Sequence, residues 1–345
     1  MFRDRRWRAL IVLPILAAGV GLFVWRGPDW QLVHDAFTVV RWRWVFAAIG
    51  LNLLSVVSRS VAWDTAIKQS IDPPHPRFPI VFSAFSVGLF ANAVLPGRVG
   101  ELARVAVLRR RIARKNTTPT LIGSVFAHRM FDLFPAATLV VWVVLTAKIP
   151  RWALTSIALV LLIGAGLFMV AVVLARRHHR DALDGLGRVR SLLVRGRQGL
   201  AVMRSPVAAA TAGAFQFGGW ICQLFAVWAA MFAFDIHEHL AAAGLVLVLI
   251  NVATIFPLWP GNFGLVQIAV AFPLVNYGVD YARGFAFGIG LQAIEASVGV
   301  GVGLIFLARE GLSYAMLKEM DDGSPDDSPA VPVQEPERAR ARSAG

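Results

Sequence analysis

Six runs of this chain, at about 9–25, 44–67, 120–147, 152–175, 206–233 and 281–308, stay apolar long enough to bridge hydrocarbon as helix. Crossing a core ~30 Å thick takes roughly 20 such residues. Hydrophobic residues make up 57% of the 345 and charged residues only 16%, against about a quarter in ordinary soluble domains. The pattern predicts an all-α, polytopic membrane bundle. The first run follows Arg3, Arg5, Arg6 and Arg8 and ends Trp25-Arg-Gly-Pro-Asp with no small-x-small cleavage site, so it reads as an uncleaved span.

Two further apolar runs are interrupted. The first reads Phe90-Ala-Asn-Ala-Val-Leu-Pro-Gly-Arg-Val-Gly-Glu-Leu-Ala-Arg104, the second Phe256-Pro-Leu-Trp-Pro-Gly-Asn-Phe-Gly-Leu-Val-Gln267. A helix does not pass smoothly through Pro-Gly, because proline lacks the N–H and glycine frees the backbone. At membrane depth, unpaired backbone survives only where protein buries it or where it lines a cavity. Paired broken segments, one per half of a chain, point to the binding site of a transporter.

Charge decides how these segments sit. Residues 98–118 hold Arg98, Arg104, Arg109, Arg110, Arg111, Arg114 and Lys115 against Glu101 alone, and 176–205 hold eight arginines against Asp181 and Asp184. The positive-inside rule sets both beside the basic N-terminus in the cytoplasm. If 78–112 enters from the cytoplasm and returns, and 240–275 does the same from outside, every basic loop falls inside. The expectation is about six full spans plus two oppositely oriented re-entrant hairpins, an inverted repeat in the cell inner (plasma) membrane with both termini cytoplasmic. Pro-Gly-Arg-Val-Gly against Pro-Gly-Asn-Phe-Gly is a weak repeat in the same sense. Trp25, Trp30, Trp42, Trp44 and Trp152 fall at the expected outer boundaries. Residues 1–310 read as the membrane part and 311–345, rich in Asp, Pro, Glu and Arg, as a disordered cytoplasmic tail.

The net charge of +13 sits in loops that meet anionic head groups, which makes membrane lipids the expected partners and excludes nucleic acid. A single cysteine, Cys222, rules out an internal disulfide and a cysteine zinc site.

At the first break, Val99, Leu102, Val105 and Ala106 recur at helical spacing after Pro96 and Gly97, which puts Arg98 and Glu101 in a first helical turn. That turn carries unpaired N–H groups and a partial positive charge, and Arg98 adds a planar fork suited to phosphate. Glu101 compensates that charge or meets a cationic head group or a proton, and Arg104 lies within pairing distance. The same residues also read as an ion pair that stabilises a broken helix. At the second break Asn262 is placed to cap a helix from Phe263, with Gly264 allowing close approach and Gln267 in the first turn. Within 120–147, Arg129 and Asp132 are spaced to pair, and His128 reads as a hydrogen-bonded core residue. Arg59 and Asp64 read as reaching the cytoplasmic interface by snorkelling. No catalytic signature occurs, and the histidine pairs near 178 and 238 read as surface loops. The chain is expected to be no enzyme and to carry no metal or cofactor.

Asn92, Leu95-Pro96-Gly97-Arg98, Gly100-Glu101, Arg104, Arg129 with Asp132, and Pro260-Gly261 with Gly264 resemble the signature of the lysylphosphatidylglycerol synthase transmembrane domain family, also described as flippase-like, over about 10–308. The resemblance implies a lipid moved or presented between leaflets, with these residues, Asn262 and Gln267 as substrate-binding positions. It departs at Gln267, where the family typically has Glu, at Asn262, commonly Gly, and at Gln292, near where an Arg is often found. Neutral partners in place of a charged pair leave no orphan charge. In bifunctional members a soluble aminoacyl-transferring domain follows the membrane part; only a short tail follows Leu307 here, so synthase chemistry is not expected. The expected function is an integral membrane translocator for a phosphate-bearing lipid or lipid-linked glycan. The alternatives are a non-catalytic partner of lipid or cell-envelope enzymes and a membrane-embedded transferase.

Overall fold

The computed structural model describes residues 28–95, 99–112, 117–149, 205–255 and 262–309, with isolated residues at 155, 159 and 202. The expected spans 9–25 and 152–175, the steps Pro96-Gly97-Arg98 and Pro260-Gly261, most of the basic stretch 176–205 and the tail 311–345 lie outside the described residues. All the regular structure described is helical: α1 Trp30–Thr38, α2 Trp42–Ser70, α3 Phe78–Val94, α4 Gly100–Arg111, α5 Thr118–Thr146, α6 Pro206–Ala233, α7 Leu240–Ala253, α8 Leu265–Val275 and α9 Tyr281–Arg309.

Four of these, α2, α5, α6 and α9, are long and apolar enough to cross a membrane. They coincide with four of the six expected spans. Between them the order repeats. Helices of 29, 17, 12 and 29 residues (α2 to α5) are followed by helices of 28, 14, 11 and 29 residues (α6 to α9). Each half is thus long, short, short, long.

The two leading helices run antiparallel. Arg41 N–H donates to the Ala233 carbonyl at 2.9 Å, Trp44 lies 5.0 Å from Phe232 ring to ring, and Ser58 Oγ donates to the Phe215 carbonyl at 2.6 Å. Rising numbers on α2 therefore meet falling numbers on α6. Small residues permit the approach: a Cβ on Gly219 would press on the Arg59 stem and one on Gly218 on Ser58 Oγ.

Helix α9 joins the halves. Near its N-terminal end a Cβ on Gly284 or Gly288 would press on Ala271 or Gln267 of α8, and near its C-terminal end one on Gly303 would collide with Phe90 and Ser86 of α3. Phe82 meets Phe306 edge-on at 5.4 Å. The α7–α8 pair thus lies along the first half of α9, and the α3–α4 pair along the second. The buried apolar side chains divide in the same way. One cluster gathers α7, α8 and the first half of α9 (Leu247, Val270, Phe287); the other gathers α3, α4 and the second half (Val87, Leu108, Val298).

Helix α1 was not expected. Asp29 caps it, Oδ1 accepting from Gln31 N–H at 3.0 Å and Leu32 N–H at 3.3 Å, which satisfies two first-turn donors. Its Val33 and Ala36 are buried, while Trp30 packs edge-on against Phe285 of α9.

Candidate functional site

The first break forms the wall of a cavity. In the last turn of α3, Asn92 Oδ1 accepts the Gly100 N–H at 2.9 Å. That N–H belongs to the first turn of α4, whose donors have no partner within the helix. A Cβ on Gly100 would collide with the Gly88 carbonyl and the Asn92 side chain, so α3 and α4 meet backbone to backbone. The cavity beside this junction measures ≈ 200 Å³ and receives side chains from α2, α3, α4, α5, α6 and α9.

Its charges form two groups. At the rim, the exposed Arg129 donates through Nε to Glu101 Oε1 at 2.7 Å, pairs with the same carboxylate through Nη2, and reaches Asp132 Oδ2 through Nη1 at 3.3 Å. Asp132 Oδ1 accepts from Trp220 Nε1 at 3.0 Å and from Gln216 Nε2. Thus one guanidinium bridges two carboxylates.

Deeper, Arg59 Nη2 donates to Gln223 Oε1 at 2.5 Å, and its Cζ lies 5.1 Å from the centre of the Trp220 ring. Arg104, only 5% exposed, has Cζ 4.7 Å from the Trp63 ring and 5.5 Å from the Phe85 ring. Arg59 Nε and Arg104 Nε and Nη2 are buried with no hydrogen-bond partner among the described residues. A buried donor left unmade costs about 1–3 kcal/mol, and more on a charged group. Two such arginines lining one cavity suit an anion with several acceptor oxygens.

Several expectations change here. Glu101 pairs with Arg129 rather than Arg104, because Arg104 turns inward onto Trp63 and Phe85. The buried residues of α4 are Gly100, Ala103, Arg104, Val105, Val107 and Leu108, while Leu102 is 56% exposed. His128 is buried edge-on to Phe85 at 5.9 Å, but its Nδ1 has no partner, so the hydrogen-bonded core reading fails at that atom. Arg59 does not snorkel: stacking on Trp220 and the bond to Gln223 hold it in the cavity. Asp64 pairs one turn on with Lys68 at 2.6 Å.

The second break is built from neutral groups. Helix α8 starts at Leu265, later than expected, and Asn262 does not cap it. Asn262 Nδ2 instead donates to the Ala253 carbonyl at 3.1 Å, tying the segment to the end of α7. Gly264, at φ +90°, takes a conformation that glycine alone adopts freely. Its N–H donates to Gln267 Oε1 at 2.6 Å, and Gln267 Nε2 donates to Gln292 Oε1 on α9, also at 2.6 Å. Both ends of this fully buried amide are used, which suits neutral residues at both positions.

The structure thus brings Asn92, Gly100, Glu101, Arg104, Arg129 and Asp132 together, and sets Asn262, Gly264 and Gln267 apart at the other hairpin. Pro96, Gly97, Arg98, Pro260 and Gly261 lie outside the described residues. Sequence reasoning missed Glu295, Gln223, Gln216 and Trp220. Glu295 had a signal: it is the only acid between Tyr281 and Arg309, and an ionisable group inside a span is a functional candidate by default.

The chain was compared with known proteins. The model of a family described as lysylphosphatidylglycerol synthase TM region matches residues 8–303. No curated protein and no solved structure matches.

Proposed function

We propose a lipid translocator, on the premise that this chain belongs to the lysylphosphatidylglycerol synthase TM region family, matched over residues 8–303. Family and apolar helices together make it a multi-pass membrane protein with a lipid-related role. The proposed activity is transbilayer movement, without chemical conversion, of a phosphate-bearing lipid or lipid-linked glycan. One observation carries it: Arg59 and Arg104 line the cavity with buried N–H groups that no acceptor among the described residues meets. A guanidinium inside a span costs about 2.5–3.5 kcal/mol on insertion scales, so an unpaired one calls for a ligand. Phosphate oxygens supply the acceptors.

The proposed arrangement is six full spans with two re-entrant hairpins, α3–α4 from the cytoplasm and α7–α8 from outside, in the inner membrane with both termini cytoplasmic. Residues 311–345 are proposed as a cytoplasmic tail. Supporting it are the antiparallel α2 and α6, the repeated order of helix lengths, and the packing of the two hairpins along opposite halves of α9. The start of α8 and the α3–α4 junction at Asn92 and Gly100 both come near the middle of α9, where Gln292 meets Gln267 and Glu295 enters the first cavity. In this proposal Arg59 and Arg104 hold the phosphate, while Arg129 with Glu101 and Asp132 forms the gate.

The test is lipid sidedness in a deletion strain, read with a membrane-impermeant head-group label. Loss of the protein shifts one phosphate-bearing lipid to the wrong leaflet. Wild type restores it; Arg104→Gln and Glu101→Gln, at equal protein level, do not. Unchanged sidedness on deletion would overturn the proposal.

A further inference from the structure

Glu295 gives the cavity a second chemical end. It projects from the middle of α9 into the space lined by Arg59, Arg104 and Gln223. Arg59 is held by Gln223, whose Oε1 accepts from its Nη2. Glu101 and Asp132, by contrast, are both engaged by Arg129. Among the described side chains at the cavity, two arginines are thus left without a direct carboxylate partner, and one carboxylate without a direct arginine.

We propose that the cavity is a two-ended site for a zwitterionic phospholipid head group, its phosphate on Arg59 and Arg104 and its ammonium on Glu295. The inference rests on the translocator reading above and narrows its substrate. Three arginines and three carboxylates face the cavity, so the described charges sum to zero. A phosphodiester alone adds an uncompensated negative charge, whereas a zwitterion leaves the sum unchanged. At ≈ 200 Å³ the cavity is smaller than the ≈ 300–1,000 Å³ of pockets that take drug-sized molecules. That volume suits a phosphate with a short ammonium arm.

The test uses the full-length protein in liposomes carrying acyl-chain-labelled phosphatidylethanolamine or phosphatidylglycerol, with loss of label to an external reductant as the readout. The expected result is phosphatidylethanolamine moving faster by about tenfold, the ratio that one charge-assisted hydrogen bond supplies. Glu295→Gln brings that ratio close to one, while Glu295→Asp keeps part of it. Equal rates for the two lipids in the wild type, or a preference that persists in Glu295→Gln, overturn the two-ended site while the translocator reading stands. Movement of neither lipid sinks the translocator reading itself. Should Glu295→Gln not reconstitute as a monodisperse protein, the wild-type ratio decides alone.

Discussion

Arg104 shows how one side chain is held ready for a ligand. Trp63 and Phe85 fix its plane, and burial keeps Nε and Nη2 from any protein acceptor. Lysine has no planar fork to stack or to chelate, so Arg104→Lys keeps the charge and loses the geometry. We expect Arg104→Lys and Arg104→Gln each to slow lipid movement by about tenfold or more while the protein stays folded, the loss of one or two charged hydrogen bonds. Near-wild-type rates in Arg104→Lys, with intact protein, would remove bidentate binding from the account. Gln267 is a contrasting case: its amide joins Gly264 to Gln292, and it does not line the cavity. Gln267→Leu removes both bonds and should cost about 1–3 kcal/mol, read as a lower unfolding midpoint. Little of this was legible in the sequence. Arg104, Arg129 and Asp132 stood out as charges inside apolar runs, but the partners did not. Arg59 meets Gln223, 164 residues away, and no local spacing encodes such a contact.

Elements were far more legible, because span length and apolar runs are local properties. The reading 44–67 became Trp42–Ser70, 120–147 became Thr118–Thr146, and 206–233 matched Pro206–Ala233. The two Pro-Gly regions did separate pairs of short helices. Helix α1 escaped notice because nine residues with Gln31, His34, Asp35 and Thr38 among them fall well below span length. The hairpins depend on contacts too close for a side chain. Gly284 and Gly288, four apart on α9, let α8 lie against the backbone, the small-xxx-small arrangement of membrane helices. Gly288→Val pushes α8 from α9 and strains the Gln267–Gln292 bond, an overpacking cost of about 1–3 kcal/mol. Thermal unfolding in detergent checks this, and an unshifted midpoint would contradict the close packing. Gly100→Val should act on the first hairpin in the same way and slow lipid movement as well, since the α3–α4 contact forms the cavity wall.

At the scale of the whole molecule, two halves of similar helix order meet along antiparallel α2 and α6, and α9 carries one hairpin on each half. The proposed topology follows from that arrangement and the basic loops, and cysteine labelling tests it. In a Cys222→Ser background, Arg114→Cys and Gly196→Cys should resist a membrane-impermeant thiol reagent added to intact cells, while His237→Cys reacts. Labelling of Arg114→Cys from outside would refute a first hairpin entering from the cytoplasm. The account stands or falls, however, on the two unpaired arginines. The direct measurement is transbilayer movement of an acyl-labelled phospholipid in liposomes holding wild type, Arg59→Gln or Arg104→Gln protein at equal density. The account predicts movement well above protein-free liposomes for wild type and a fall of about tenfold or more in each variant. Wild-type liposomes no faster than empty ones, or variants as fast as wild type, would contradict it.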